Sequence, residues 1–92
     1  MDSAGVHYGY TVVHMGIYGE NLTRAVAQQL QAERAAAGMT YAQLAEASGV
    51  NEQSITRYLT GKRDFKIEVL GQLADALGLT PQTILARAIE RI

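Results

Sequence analysis

The 92-residue chain carries eight Lys and Arg against nine Asp and Glu, a formal net charge of -1, and no Cys. A chain of this length forms one domain, burying roughly 60–65% of the surface its unfolded chain exposes. The absence of Cys excludes disulfides, thiolate zinc sites and thiol catalysis. No apolar run is long enough to span a bilayer, and no basic start precedes an apolar block as in a secretory leader, so a cytosolic protein is expected.

Residues 1–19 are read as a strand or arm. The segment VHYGYTVVHMGIYG is rich in β-branched and aromatic residues, with Tyr8, Tyr10 and Tyr18 around two His. As a strand it sets Tyr8, Tyr10, Val12 and His14 on one side and Thr11, Val13, Met15 and Ile17 on the other. One strand alone leaves its backbone unsatisfied. Pairing with the same strand of a second subunit across a two-fold axis answers that need, and makes Tyr8, Tyr10, Val12, Val13 and Met15 the dimerisation residues. A hairpin within the segment or a disordered tail are the alternatives. His7 and His14 are seven apart, which is not a helical ligand spacing, and no metal site is expected.

From about residue 20 the pattern becomes helical. Leu22, Val26, Leu30 and Arg34 step by four along one stripe, with Gln28, Gln31 and Glu33 outside it. Gly38 offers the left-handed stop.

Thr40 is placed to cap a second helix, with Leu44, Ala45 and Ala47 as its apolar side and Gly49 as the turn that ends it. Asn51 caps a third, in which Ile55, Tyr58 and Leu59 recur as the inner face. Glu52, Gln53, Ser54 and Arg57 are thereby left on the outer side of its first turn and a half. A short polar helix presented by its N-terminal end suits a DNA major groove, where Gln and Arg can each make paired hydrogen bonds to a base edge. Two short amphipathic helices around a Gly also occur in small all-α domains whose polar face merely meets water.

Two further helices read as scaffold. Ile67, Leu70, Leu73, Ala74 and Leu77 form the inner face of the fourth, closed by Gly78. Thr80 and Pro81 start the fifth as cap and first helical residue, and Ile84, Leu85, Ala88 and Ile89 form its apolar side. Phe65 is assigned to the core.

The stretch Arg34, Thr40, Leu44-Ala45, Gly49, Ile55, Gly61-Lys62 resembles the helix-turn-helix pattern of the lambda-repressor-like family, also called Cro/CI-like or XRE. The similarity continues through LGQLADALGLTPQTIL and covers about residues 22–88. The resemblance implies a mainly α, five-helix domain over 20–92, here with an extra N-terminal β-strand segment, and it includes phage Cro-like proteins. It also implies roles for positions. Tyr41 stands where relatives often hold a phosphate with Gln. Glu52 stands where a Gln commonly reads adenine, and a carboxylate there would accept from a cytosine amino group or help cap the helix. Many relatives pair the Arg of the first helix with a Glu where this chain has Leu59, so Arg34 needs another partner.

Gln53, Ser54 and Arg57 are the expected base contacts with Glu52 beside them, and Arg57 suits guanine because its guanidinium donates twice. The expected phosphate contacts are Tyr41, Asn51, Lys62, Arg63 and Lys66. Charge distribution supports this: residues 1–22 hold two acids and no Lys or Arg, whereas residues 51–66 hold four bases against two acids.

The expected function is a transcriptional repressor or Cro-like regulator that binds a near-palindromic operator on double-stranded DNA as a homodimer. A dimer through the last helix, using Ile84, Ala88 and Ile89, is the family's usual alternative to the strand. The competing function is an antitoxin-like interaction module. No enzyme, cofactor, small-molecule ligand or membrane partner is implied: the chain has neither a Gly-rich phosphate loop nor a nucleophile with base and orienter.

Overall fold

Five helices follow one another: α1 (Tyr8–Ala36), α2 (Tyr41–Ser48), α3 (Glu52–Leu59), α4 (Ile67–Ala76) and α5 (Pro81–Ile89). The structure is a computed structural model that describes the backbone of residues 8–92 and the side chains from Ile17 onward.

Each of the four later helices begins at a residue suited to starting it or ends at one suited to stopping it. Thr40 accepts from the Gln43 amide at 3.0 Å while the Gln43 side chain accepts from the Thr40 amide at 2.8 Å, a reciprocal cap that satisfies two otherwise orphaned donors. Gly49 ends α2 at φ 76°, a left-handed conformation that only glycine adopts without steric cost. Asn51 Oδ1 accepts from the amides of Gln53 at 2.8 Å and Ser54 at 3.3 Å and so starts α3. Thr80 caps α5, with Pro81 as its first residue.

Leu30, Leu44, Ile55, Leu73 and Ile84 are fully buried, one from each helix, with Tyr58, Leu59, Leu70, Ala74 and Ala88 around them. These are inner-face residues expected from the 3.6-residue period. α5 lies against α1 and α4, and α2 packs on α3 and α4. Ile84 and Ala88 are wholly enclosed in this core. Of the three residues a last-helix dimer would use, only Ile89 is exposed. Phe65, assigned to the core, is half-buried at its edge and stacks on Tyr58, ring centroids 4.9 Å apart.

The N-terminal strand is corrected by the fold. Residues Tyr8 to Gly19 are helical and continuous with the rest of α1, and no strand occurs among the described residues. The physical reason is that β propensity is a preference for a pleated, half-buried surface, which a single segment does not have. A helix satisfies its amides and carbonyls within the segment. Extending an existing helix also avoids the cost of nucleating a new one. Strand pairing of Tyr8, Tyr10, Val12, Val13 and Met15 therefore falls, because their backbone is helical; their side chains, and the whole of His7, lie outside the described residues.

Candidate nucleic-acid interface

α3 is divided lengthwise. Ile55, Tyr58 and Leu59 are buried against the core, while Glu52, Gln53, Thr56 and Arg57 are exposed and Ser54 lies half-buried at the edge. Asn51 supplies the side-chain cap, which leaves Glu52 as the first helical residue with its carboxylate in the first turn, where the helix dipole favours it. Two hydroxyls of the outer side are turned back onto the helix: Thr56 Oγ1 donates to the Glu52 carbonyl at 3.1 Å, and Thr60 Oγ1 donates to that of Thr56 at 2.6 Å. The longer groups, Gln53 and Arg57, stand clear of the surface.

The loop after α3 carries Lys62, Arg63 and Lys66. Gly61 turns the chain at φ 77°, and Lys62 and Lys66 are exposed. Arg63 behaves differently: its guanidinium carbon lies 5.2 Å from the centre of the Tyr58 ring, and Nη1 reaches Ser54 Oγ at 3.4 Å. Arg63 is thereby tied to the recognition helix, and Ser54 is shared with it. Nothing in the spacing of residues 54, 58 and 63 announces this, because the loop's turn at Gly61 brings them together.

At the other end of the motif, Tyr41 opens α2 half-buried. Its hydroxyl accepts from Gln31 Nε2, and its ring lies under Arg34, 5.0 Å from guanidinium carbon to ring centre. Arg34 also donates to Gln31 Oε1 at 2.9 Å and to the Met39 carbonyl at 2.5 Å. The partner that Leu59 cannot supply is therefore found in the α1–α2 turn and Tyr41. The Tyr41 hydroxyl retains its own proton for donation to a second group.

The arrangement is two short helices joined by a three-residue turn, the second offering a polar outer side from its N-terminal end. A family model described as a helix-turn-helix domain matches residues 25–86. The chain belongs to the helix-turn-helix family. Within it, the type is the XRE or lambda-repressor-like one. Among solved structures, this helix-turn-helix protein is similar to the clp gene regulator ClgR of Corynebacterium glutamicum, at 30% identity and TM-score 0.72, over 76% of this chain and 74% of that one. It is also similar to the restriction-modification controller protein C.AhdI of Aeromonas hydrophila, at 26% identity and TM-score 0.65, over 67% of this chain and 94% of that one. A search of curated proteins finds no match.

For a helix-turn-helix chain, the geometry sorts the expected residues into groups. Gln53 and Arg57 are exposed together on α3, with Glu52 beside them; Ser54 lies at the edge under Arg63. Lys62 is exposed in the loop that follows, and Lys66, also exposed, lines the groove that holds Phe65 and Ile67. Asn51 spends its side-chain oxygen on the cap. Two features escaped the sequence reading. The Gln43 half of the α2 cap was legible as a Thr-x-x-Gln spacing. The network joining Glu33 and Gln29 to Arg87 and Arg91 was not, since its partners lie 54 and 62 residues apart.

That network secures α5 to α1. Arg87 donates to Glu33 Oε2 at 2.5 Å, Gln29 Nε2 donates to the same oxygen at 2.7 Å, and Arg91 Nε donates to Gln29 Oε1 at 2.7 Å. The Arg87 hydrogen bond chiefly holds the Glu33 carboxyl below its ordinary pKa, with Gln29 helping and burial opposing. No helix of the described residues is long and apolar enough to cross a membrane.

Proposed function

We propose that this chain is a sequence-specific regulator of transcription that reads double-stranded DNA with α3, and that two copies act together on a near-palindromic site. The observation that carries the reading is the division of α3. Its inner residues are committed to the core, whereas Gln53 and Arg57 are exposed on the first turns of a helix whose N-terminus faces outward.

In this reading Arg57 donates a pair of hydrogen bonds to guanine O6 and N7, and Gln53 makes the matching pair with adenine. Ser54 contributes at the margin. Glu52 selects against a phosphate and in favour of a donor such as the cytosine amino group. Tyr41, the Asn51 side-chain amide, Lys62, Arg63 and Lys66 hold phosphates, which fixes the register of α3 in the groove without reading sequence. Regulation follows from occupancy of the site, and no bond is made or broken. ClgR is a clp gene regulator and C.AhdI a restriction-modification controller protein, and likeness to both supports a regulatory role.

Selection of bound sites from random duplex DNA tests the reading. A near-palindrome with half-sites about 34 Å apart along one face of the duplex is expected. Replacing Gln53 or Arg57 by Ala should relax preference at one base pair per half-site, each costing about 1–3 kcal/mol of discrimination. Recovery of no preferred sequence, or variants that select the same site as the unaltered chain, would show that α3 does not read DNA.

A further inference from the structure

Arg34 donates hydrogen bonds and accepts none, and that property fixes the direction of the network it starts. Its Nε meets the Gln31 side chain at 2.9 Å, so the Gln31 atom facing it is the carbonyl oxygen Oε1. The other end of the same carboxamide, Nε2, is then the end that faces the Tyr41 hydroxyl, and an amide nitrogen only donates. The phenol oxygen is therefore the acceptor in that contact. Its own proton points away from Gln31.

Two further contacts hold the start of this chain of donors in place. Arg34 Nη1 donates to the Met39 carbonyl at 2.5 Å, in the turn before α2, and the guanidinium carbon lies 5.0 Å from the centre of the Tyr41 ring. The cation holds the ring from its face while Gln31 holds the hydroxyl from its edge, and all three side chains are half-buried. Rotating the Gln31 amide by half a turn would set its nitrogen against the guanidinium, donor against donor. One orientation of the amide is thereby selected. Among the described residues, the bond from Gln31 is the one that the Tyr41 hydroxyl makes.

A hydroxyl oriented in this way suits a partner that accepts and does not donate. The oxygens of a DNA phosphate diester are such a partner, and Tyr41 is the first residue of α2. We propose that Arg34 and Gln31 are positioning residues for DNA binding: they form a one-way relay, Arg34 to Gln31 to Tyr41, that turns the Tyr41 proton outward onto a phosphate oxygen. The inference deepens the reading of α3 as a DNA-reading helix and rests on it, since it places a duplex at the start of α2.

The relay has two consequences. A free phenol hydroxyl populates two positions in the plane of its ring, whereas this one is set before DNA arrives, so less freedom is lost on binding. Tyr41 is also a neutral donor. It displaces no counterion, and its contribution is retained at salt concentrations that weaken those of Lys62, Arg63 and Lys66.

The test is a double-substitution cycle on the full chain, read by fluorescence anisotropy on the duplex recovered by site selection. Tyr41→Phe keeps the ring under Arg34 and removes only the hydroxyl. It should weaken binding about tenfold for each subunit bound, with the salt slope and the base preferences unchanged, because a neutral phosphate contact alters neither. Gln31→Glu keeps a side chain of the same length between Arg34 and Tyr41 but offers acceptors at both ends, so the phenol proton turns back onto the carboxylate. The added negative charge weakens binding by itself, and the deciding comparison is made within that background. There, adding Tyr41→Phe should change affinity by less than about twofold, since the hydroxyl is already engaged.

An equal effect of Tyr41→Phe in both backgrounds, or no effect in either, overturns the relay. A changed salt slope or base preference in Tyr41→Phe overturns it too, because the hydroxyl would then be acting through the placement of α3. If the unaltered chain binds no duplex, the DNA reading fails and the phosphate step falls with it. The direction of the relay is still read without DNA by nuclear magnetic resonance: the Gln31 side-chain amide protons should shift when Tyr41→Phe removes their acceptor, and unmoved resonances overturn that direction.

Discussion

Arg63 lies over the ring of Tyr58, guanidinium carbon 5.2 Å from the ring centre, while its Nη1 reaches Ser54 at 3.4 Å. Phe65 stacks on the same Tyr58 ring. A cation that elsewhere in the loop would sample many rotamers is held at one edge of α3, so less side-chain entropy is lost when it meets a phosphate.

Arg63→Lys should therefore weaken DNA binding nearly as much as Arg63→Ala, because a Lys ammonium lacks the planar fork that lies on the ring and reaches Ser54. If three cations per subunit engage phosphates, a dimer's log-log salt slope should lie near -5, and Arg63→Ala should make it shallower by about 2 units. Titration by fluorescence anisotropy at several salt concentrations reads both; a slope unchanged by Arg63→Ala would show that Arg63 only braces Tyr58.

Glu52 should act against affinity. Its carboxylate is exposed at the first position of α3, where it repels phosphates and interacts favourably with the helix N-terminus. Glu52→Gln should raise binding to non-cognate DNA while costing about 0.3–1 kcal/mol of stability. Competition with random-sequence duplex and thermal melting separate the two effects, and unchanged non-cognate binding would place the carboxylate away from the backbone.

The turn between α2 and α3 should be sensitive through its backbone rather than through packing. A Cβ built on Gly49 meets nothing within 4 Å, yet its φ is +76°. Gly49→Ala should cost about 1–2 kcal/mol, and Asn51→Ala, which deletes the α3 cap, about 1 kcal/mol. Denaturant unfolding measures these; a neutral Gly49→Ala would mean that the turn relaxes to another conformation.

Acid should loosen the α1–α5 contact. Glu33 has its folded pKa lowered from an ordinary 4.5, mainly by the Arg87 hydrogen bond. Its contribution to stability is then complete above the unfolded value and is lost as pH falls from there through the folded one. Because Arg87 is 49% exposed, solvent screening keeps the contribution below about 1 kcal/mol. Melting curves from neutral pH down to the acid range should show Glu33→Gln losing less stability on acidification than the unaltered chain. Parallel pH profiles would count against a role for this pair.

Much of the fold was legible because it depends on neighbours in sequence. Thr40, Asn51 and Thr80 cap within three residues of themselves, Gly38, Gly49 and Gly78 each supply a positive φ at a helix end, and the helical period selects Leu30, Leu44, Ile55, Leu73 and Ile84 for burial. Residues 8–19 were misread for a physical reason. Their composition favours a strand only if another strand is present, and the continuing α1 offered a route to a satisfied backbone that composition does not record.

By itself, then, the sequence determined the five-helix order from about residue 20, the two caps around Gly49, and which side of α3 is polar, since each follows from spacing and local hydrogen bonding. Only the tertiary structure decided that Arg34 is answered by Met39 and Tyr41, that Arg63 turns back onto Tyr58, that Glu33 and Gln29 meet Arg87 and Arg91, and that Leu22 and Val26 meet Phe65, Ile67, Leu70 and Leu85 around an apolar groove. Those contacts depend on where packed helices bring distant side chains, and no local period encodes that meeting.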